Sequence, residues 1–195
     1  SSGNKRLYWQ SNIASGNTPT NSVLQSTWNH LVWMFIGRTL YVFVNGVLSG
    51  GPSALSGDYT IESLRIGTHP TSNANYLYGY LDSIRWSKTA RYGNIDIPTT
   101  QLNTWQTAGR GQNALLPHYT KLLIQANSTT TTSSTIIDQT GRHSVTVNGA
   151  VHSQGRTNFG NTAIYFDGTN DYLEIPDSAD WDQTQDFSWE AWVSH

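Results

Sequence analysis

One stretch limits what this chain can fold into more than any other. It is "WNHLVWMFIGRTLYVFVNGVL", from Trp28 to Leu48. Leu31 to Ile36 is a nearly unbroken apolar run, the pattern of a strand covered on both faces. Gly37-Arg38 reads as a turn. Leu40 to Val44 then alternates, with Tyr41 and Phe43 on one face and Val42 and Val44 on the other. Asn45-Gly46 follows, a pair that tolerates positive φ at both central positions of a two-residue hairpin. Strands of this kind need a second sheet to cover them.

The remaining segments agree. Glycine (17), tryptophan (8) and tyrosine (10) are plentiful among many Ser, Thr and Asn, which favours strands and turns, and no long segment shows a helical stripe. Gly50, Gly51 and Pro52 break the chain, and Ile61, Leu64 and Ile66 form a strand closed by Gly67. The loop "THPTSNANY" leads to "YLYGYLDSIRWSK", where Leu81 and Ile84 do not alternate strictly; this predicts a bulge or bend near Asp82. "ARYGNIDIP" reads as an extended tail. After a Gly- and Pro-punctuated stretch the strand pattern restarts with "YTKLLIQA", a polar "NSTTTTSST" loop, "IIDQTG" and "HSVTVNG". "TAIYFDG" and "DYLEIP" are expected to pair across Gly168-Thr169-Asn170-Asp171. Phe187, Trp189, Ala191 and Val193 alternate with Asp186, Ser188, Glu190 and Trp192, giving a core face and a face for solvent or another layer.

Charge excludes some functions. The formal net charge is -2 and charged residues are 12% of the chain, so no basic field draws a nucleic acid. No run of about 18 apolar residues predicts a membrane span, and "SSGNKRLYWQ" lacks the apolar core of a signal peptide. The absence of cysteine removes disulfides, thiolate zinc sites and thiol catalysis.

"TWNHLVWMFIGRTLYVFVNGVL" resembles the middle hairpin of laminin-G-like domains in the concanavalin A-like lectin/glucanase jelly-roll superfamily. "GYLDSIRWSKTARYGNIDIP" is similar to the closing strand and tail of such domains. "TKLLIQANSTTTTSSTIIDQTGRHSVTVNGA" resembles their opening strands, and "GNTAIYFDGTNDYLEIPDSADWDQTQDFSWEAWV" the segment after them. The Thr/Ser-rich first loop is similar to that of tail-fibre and other virion proteins of bacterial viruses. The resemblance implies an all-β antiparallel sandwich, a concanavalin A-like jelly roll, with its motifs in circularly permuted order. Residues 1–105 correspond to a closing half, 106–116 to a connector and 117–195 to an opening half. Either the chain is a slice through a tandem array, or the halves combine into one sandwich, within a chain or between chains.

Because the superfamily includes β-glucanases, catalytic carboxylates must be sought. Retaining enzymes hold two of them about 5–5.5 Å apart, which the family supplies from a Glu-x-Asp-x-x-Glu motif absent here. Asp186 and Glu190 share a strand face but stand about 13 Å apart along it. They are read as solvated surface carboxylates, as are Glu174 and Asp177 around a proline turn. The six histidines, His30, His69, His118, His143, His152 and His195, lack HxH or HxxxH spacing. His30 reads as a packed, hydrogen-bonded position at a strand start.

Calcium is the metal that the resemblance implies. By position, Asp138 and Asp82 supply carboxylates and the Asp167-Gly168 turn a backbone oxygen. The acidic residue usual near the first strand is missing from "IQANS", and Asp82 and Asp138 could equally cap turns. Sugar binders stack rings on exposed aromatics. Trp28, Trp33 and Trp189 read as core, while Trp86 and Trp192 fall on the opposite faces of their strands. His69, Asn73, Asn75, Tyr76 and Tyr78, with Trp86, form the candidate ligand rim; the plainer reading is a polar, Asn-rich loop.

The expectation is a non-catalytic carbohydrate-binding or adhesion module, extracellular or on a virion surface. Its expected partners are a glycan and neighbouring jelly-roll domains or copies of itself. A structural or assembly domain is the second reading and a glycan hydrolase the third.

Overall fold

The computed structural model describes residues 8–10, 15–17, 19, 22–54, 64–69, 75–91 and 119–195. Among the described residues there are thirteen strands and no helix. In chain order they are β1 (Tyr8–Gln10), β2 (Ser15–Asn17), β3 (Asn29–Ile36), β4 (Thr39–Val44), β5 (Val47–Ala54), β6 (Leu64–Ile66), β7 (Tyr78–Ser87), β8 (Thr120–Ile124), β9 (Thr146–Asn148), β10 (Val151–Ser153), β11 (Ala163–Asp167), β12 (Tyr172–Ile175) and β13 (Phe187–Ser194).

The main sheet has eight strands in the order β10-β11-β7-β13-β3-β4-β5, with β8 pairing the far half of β7. A three-stranded sheet, β6-β12-β9, lies opposite, and β1 pairs with β2 separately. All pairings are antiparallel. The chain is thus an all-β antiparallel sandwich, as the jelly-roll resemblance implies.

The two hairpin turns follow the sequence closely. Gly37 and Arg38 have φ of 54° and 65°, Asn45 and Gly46 of 52° and 79°. Positive φ at both central positions is the backbone of a tight hairpin whose twist matches its strands. Gly50, Gly51 and Pro52 do not end the strand as expected. They lie inside β5, which stays paired with β4 through two register shifts; bulges let an edge strand absorb such residues.

β13 sits between β3 and β7. Its Trp189 faces Trp33 on one side and Trp86 on the other. One buried cluster joins Leu31, Phe35 and Val42 to Ile84, Trp86, Leu122, Ile164, Phe166, Leu173, Ile175, Trp181, Phe187 and Ala191, so residues from before 92 and after 118 share one core. Residues 106–116 and Leu7 lie outside the described residues.

Two local expectations change. β11 and β12 do not pair with each other: β11 joins the main sheet and β12 the smaller one. The turn at 168–171 is therefore an arch between sheets. Asp171, 4% exposed, fastens it by accepting the Asp167 N–H at 2.9 Å. The bulge near Asp82 is present at Ser83, φ 51°, where β13 advances two residues while β7 advances three.

Candidate functional site

The main sheet has an inner face on the core and an outer face. The bulge decides which residue meets which. Before it, Tyr78 and Tyr80 point outward and Leu81 inward; after it, Ile84 and Trp86 point inward and Arg85 outward. Register extends the outer row through Tyr80: Val151 opposes Tyr165, Tyr165 opposes Tyr80, and Tyr80 opposes Ser194.

This row contains a tyrosine ladder. Tyr165 stands between the other two rings, 6.4 Å from Tyr78 at an interplanar angle of 75° and 5.1 Å from Tyr80 at 46°. Tyr78 is 67% exposed, and Tyr80 and Tyr165 are half-buried. The Tyr165 phenol is pushed up from its ordinary value, first by desolvation and then by its neighbours Tyr78 and Tyr80; it stays neutral, a hydrogen-bonding hydroxyl on an apolar ring. Polar groups flank the ladder. Asp167 opposes Tyr78 and is exposed, Gly155 packs close to the Tyr80 hydroxyl, and Arg156 Nη1 donates to Ser194 Oγ at 3.1 Å.

Two glycines shape the site. Gly79 has φ 152°, and a Cβ there would lie 2.4 Å from the Ser194 carbonyl oxygen. It lets β7 run close to β13 while holding Tyr78 and Tyr80 on one face. A Cβ on Gly155 would come within 2.8 Å of the Tyr80 hydroxyl.

Further along the same face lies a buried charge cluster. Glu190, 2% exposed, is contacted by His30 Nε2 at 3.6 Å and Arg85 Nη1 at 3.9 Å, and is hydrogen-bonded by Arg91. Burial pushes its carboxyl up, but Arg91, then His30 and Arg85, outweigh that and hold it at about 2. Residues 88–91 cross over this region: Thr89 O accepts from Ser188 Oγ at 3.0 Å, and Ala90 packs on Val32, Met34 and Phe43. Glu190 is therefore not a solvated surface carboxylate; the face expected to meet solvent is covered here. His30 is packed as expected, 5.1 Å from the Trp192 ring, but neither ring nitrogen has a hydrogen-bond partner.

Of the expected ligand rim, Tyr78 falls in the ladder. His69 and Tyr76 are half-buried and Asn75 is exposed, in the loop entering β7, which the Leu77 N–H closes onto Gly67 O at 2.8 Å. Asn73 lies outside the described residues. Trp86 is corrected: it is 4% exposed in the core, stacked 5.0 Å from Phe187 and edge-on to Trp181, because the bulge reverses the parity of the strand. Tyr80 and Tyr165 were missed, although Tyr78-x-Tyr80 and the alternation of Tyr165 with Ile164 and Phe166 were readable.

The positions implied for calcium each have their own hydrogen-bond partners. Asp82 Oδ1 accepts from Ser83 N at 2.7 Å and Ala126 N at 3.2 Å, and Oδ2 from Phe159 N at 3.3 Å. Burial still pushes its carboxyl up. Asp138 accepts from the backbone N–H groups of Leu123, Thr140, Arg142 and His143. Asp167 accepts from Thr169 N at 2.8 Å beside Gly168. Each of these carboxylates is thus engaged by backbone N–H donors, and among the described residues no three His, Asp or Glu side chains group together.

The laminin-G family model described as the concanavalin A-like lectin/glucanases superfamily matches residues 1–93, from the chain start through β7 and the crossing segment. No curated protein and no solved structure matches the chain.

Proposed function

From the match of residues 1–93 to the concanavalin A-like lectin/glucanases superfamily, we propose that this chain is a non-catalytic carbohydrate-binding module, acting outside the cell or on a virion surface. The observation that carries the reading is the tyrosine ladder, with Tyr78 67% exposed at one end. Sugars offer apolar C–H faces to aromatic rings and hydroxyls to nearby polar groups. The ladder supplies the rings; Asp167 and the tyrosine hydroxyls supply the polar groups.

The charge cluster supports a role without catalysis. Glycosidases need an acid whose pKa is raised and a second carboxylate free to act. Glu190 and Asp82 share the outer face, and their environments push them in opposite directions. Yet each is 2% exposed, and their oxygens are taken by Arg91 and by backbone N–H groups respectively.

A glycan array read with the wild type and with Tyr78→Ala tests the proposal. Binding by the wild type that falls about tenfold or more in the variant, with unchanged thermal stability, supports it. A blank array, with or without calcium, favours the assembly reading. Hydrolysis of an array glycan that Glu190→Gln abolishes overturns the non-catalytic one.

A further inference from the structure

The ladder's geometry says more about the ligand than that it is a sugar. The three rings are not coplanar: Tyr165 is tilted 75° from Tyr78 and 46° from Tyr80. A flat surface can rest on one of these rings and not on its neighbours. A chain whose units turn relative to one another can present a face to each in succession. The centroid steps of 6.4 and 5.1 Å are of the order of the advance from one pyranose ring to the next.

Charge narrows the class further. Exposed Asp167 stands opposite Tyr78 and disfavours a carboxylated or sulfated sugar at that end. At the other end the row continues into Ser194 and Val151, which carry no charge. Arg156 stands there, its Nη1 held by Ser194 Oγ, so one positive charge at this end balances Asp167 at the other and the row has no net charge to select an acidic sugar.

Resting on the carbohydrate reading above, we infer that the ladder binds a soluble, uncharged oligosaccharide through three consecutive, mutually turned pyranose rings, one on each tyrosine. Neither a single terminal sugar nor the flat face of a crystalline polysaccharide fills such a site. Gly155 is a positioning residue for it. A methyl group there meets the far end of the Tyr80 side chain, so Gly155→Ala moves the ring at one end of the ladder without opening the core.

The test is titration calorimetry with linear homo-oligomers of glucose, mannose, galactose and xylose from one to five units. Sialylated and uronate-capped oligomers are run beside them, with pull-down on microcrystalline cellulose and chitin. The expected result is affinity that climbs with each unit up to the third and then levels off, for an uncharged series. Tyr165→Ala removes about tenfold from trimer binding. Gly155→Ala weakens the trimer more than the dimer, and the crystalline polymers are not retained. Equal affinity for monomer and trimer, preference for the acidic oligomers, or retention on cellulose would overturn this inference and leave the carbohydrate reading standing. Failure of every soluble and insoluble sugar to bind removes both.

Discussion

At Glu190 two opposing effects meet. Desolvation alone would make the buried carboxyl a weak acid, but Arg91, with His30 and Arg85, reverses the sign and holds it at about 2, below an ordinary value of 4.5. A carboxyl depressed on folding contributes stability that is present above its unfolded pKa and lost as pH falls through its folded one. The window is therefore from about pH 4.5 down to about 2, and the contribution is about 3 kcal/mol. Asp82 runs the other way: its carboxyl is raised above 3.8, so its contribution is present below that value and fades as pH rises. Glu190→Gln should flatten the acid limb of stability against pH, measured by urea unfolding between pH 5 and about pH 2. An acid limb identical to that of the wild type would show that Glu190 does not carry it. Arg91→Ala should destabilise at neutral pH by about 3 kcal/mol or more, since it leaves a buried carboxylate short of its main partner. Tyr78→Ala, at a ring 67% exposed, should instead leave the unfolding midpoint within experimental scatter while reducing glycan binding.

Strands show where sequence reading succeeds and where it stops. The β3–β4–β5 meander was legible because its turns are local: Gly37-Arg38 and Asn45-Gly46 adopt the positive φ values their residue types permit. The bulge was legible as well, since Leu81 and Ile84 broke the alternation. Its consequence is not local. One extra residue at Ser83 turns every later side chain of β7 to the other face, which takes Trp86 from the expected ligand rim into the core and puts Arg85 beside Glu190. The arch at 168–171 is not legible in the sequence because a hairpin and an inter-sheet turn share the same residue types. Asp171, holding the Asp167 N–H, settles which one forms. The ladder lay beyond local patterns altogether, because Tyr165 meets Tyr80 through a pairing 85 positions distant in sequence. Gly79 is the element-scale test. A side chain there collides with the Ser194 carbonyl at a φ that L-residues rarely adopt, so Gly79→Ala should cost about 2 kcal/mol or more in urea unfolding. A loss within about 0.5 kcal/mol would mean that β7 and β13 do not approach this closely.

In the whole molecule, β13 lies in the middle of the main sheet although it lies at the far end of the chain. Its neighbours β3 and β7 come from the first 90 residues. Such long-range pairing makes the two parts mutually dependent. Amide exchange should place β13 and β3 among the slowest positions, exchanging together as one cooperative unit; β13 amides that exchange much faster than those of β3 would argue against one shared core. The same arrangement builds the outer face, where β10, β11, β7 and β13 each supply one residue to the row through the ladder. The most direct test of the account is an NMR titration of the labelled protein with a neutral trisaccharide. Saturable shifts centred on Tyr78, Tyr80, Tyr165 and Gly155, with the Glu190 and Asp138 amides unmoved, are the predicted result. Shifts centred anywhere else on the molecule, or none at saturating sugar, would contradict it.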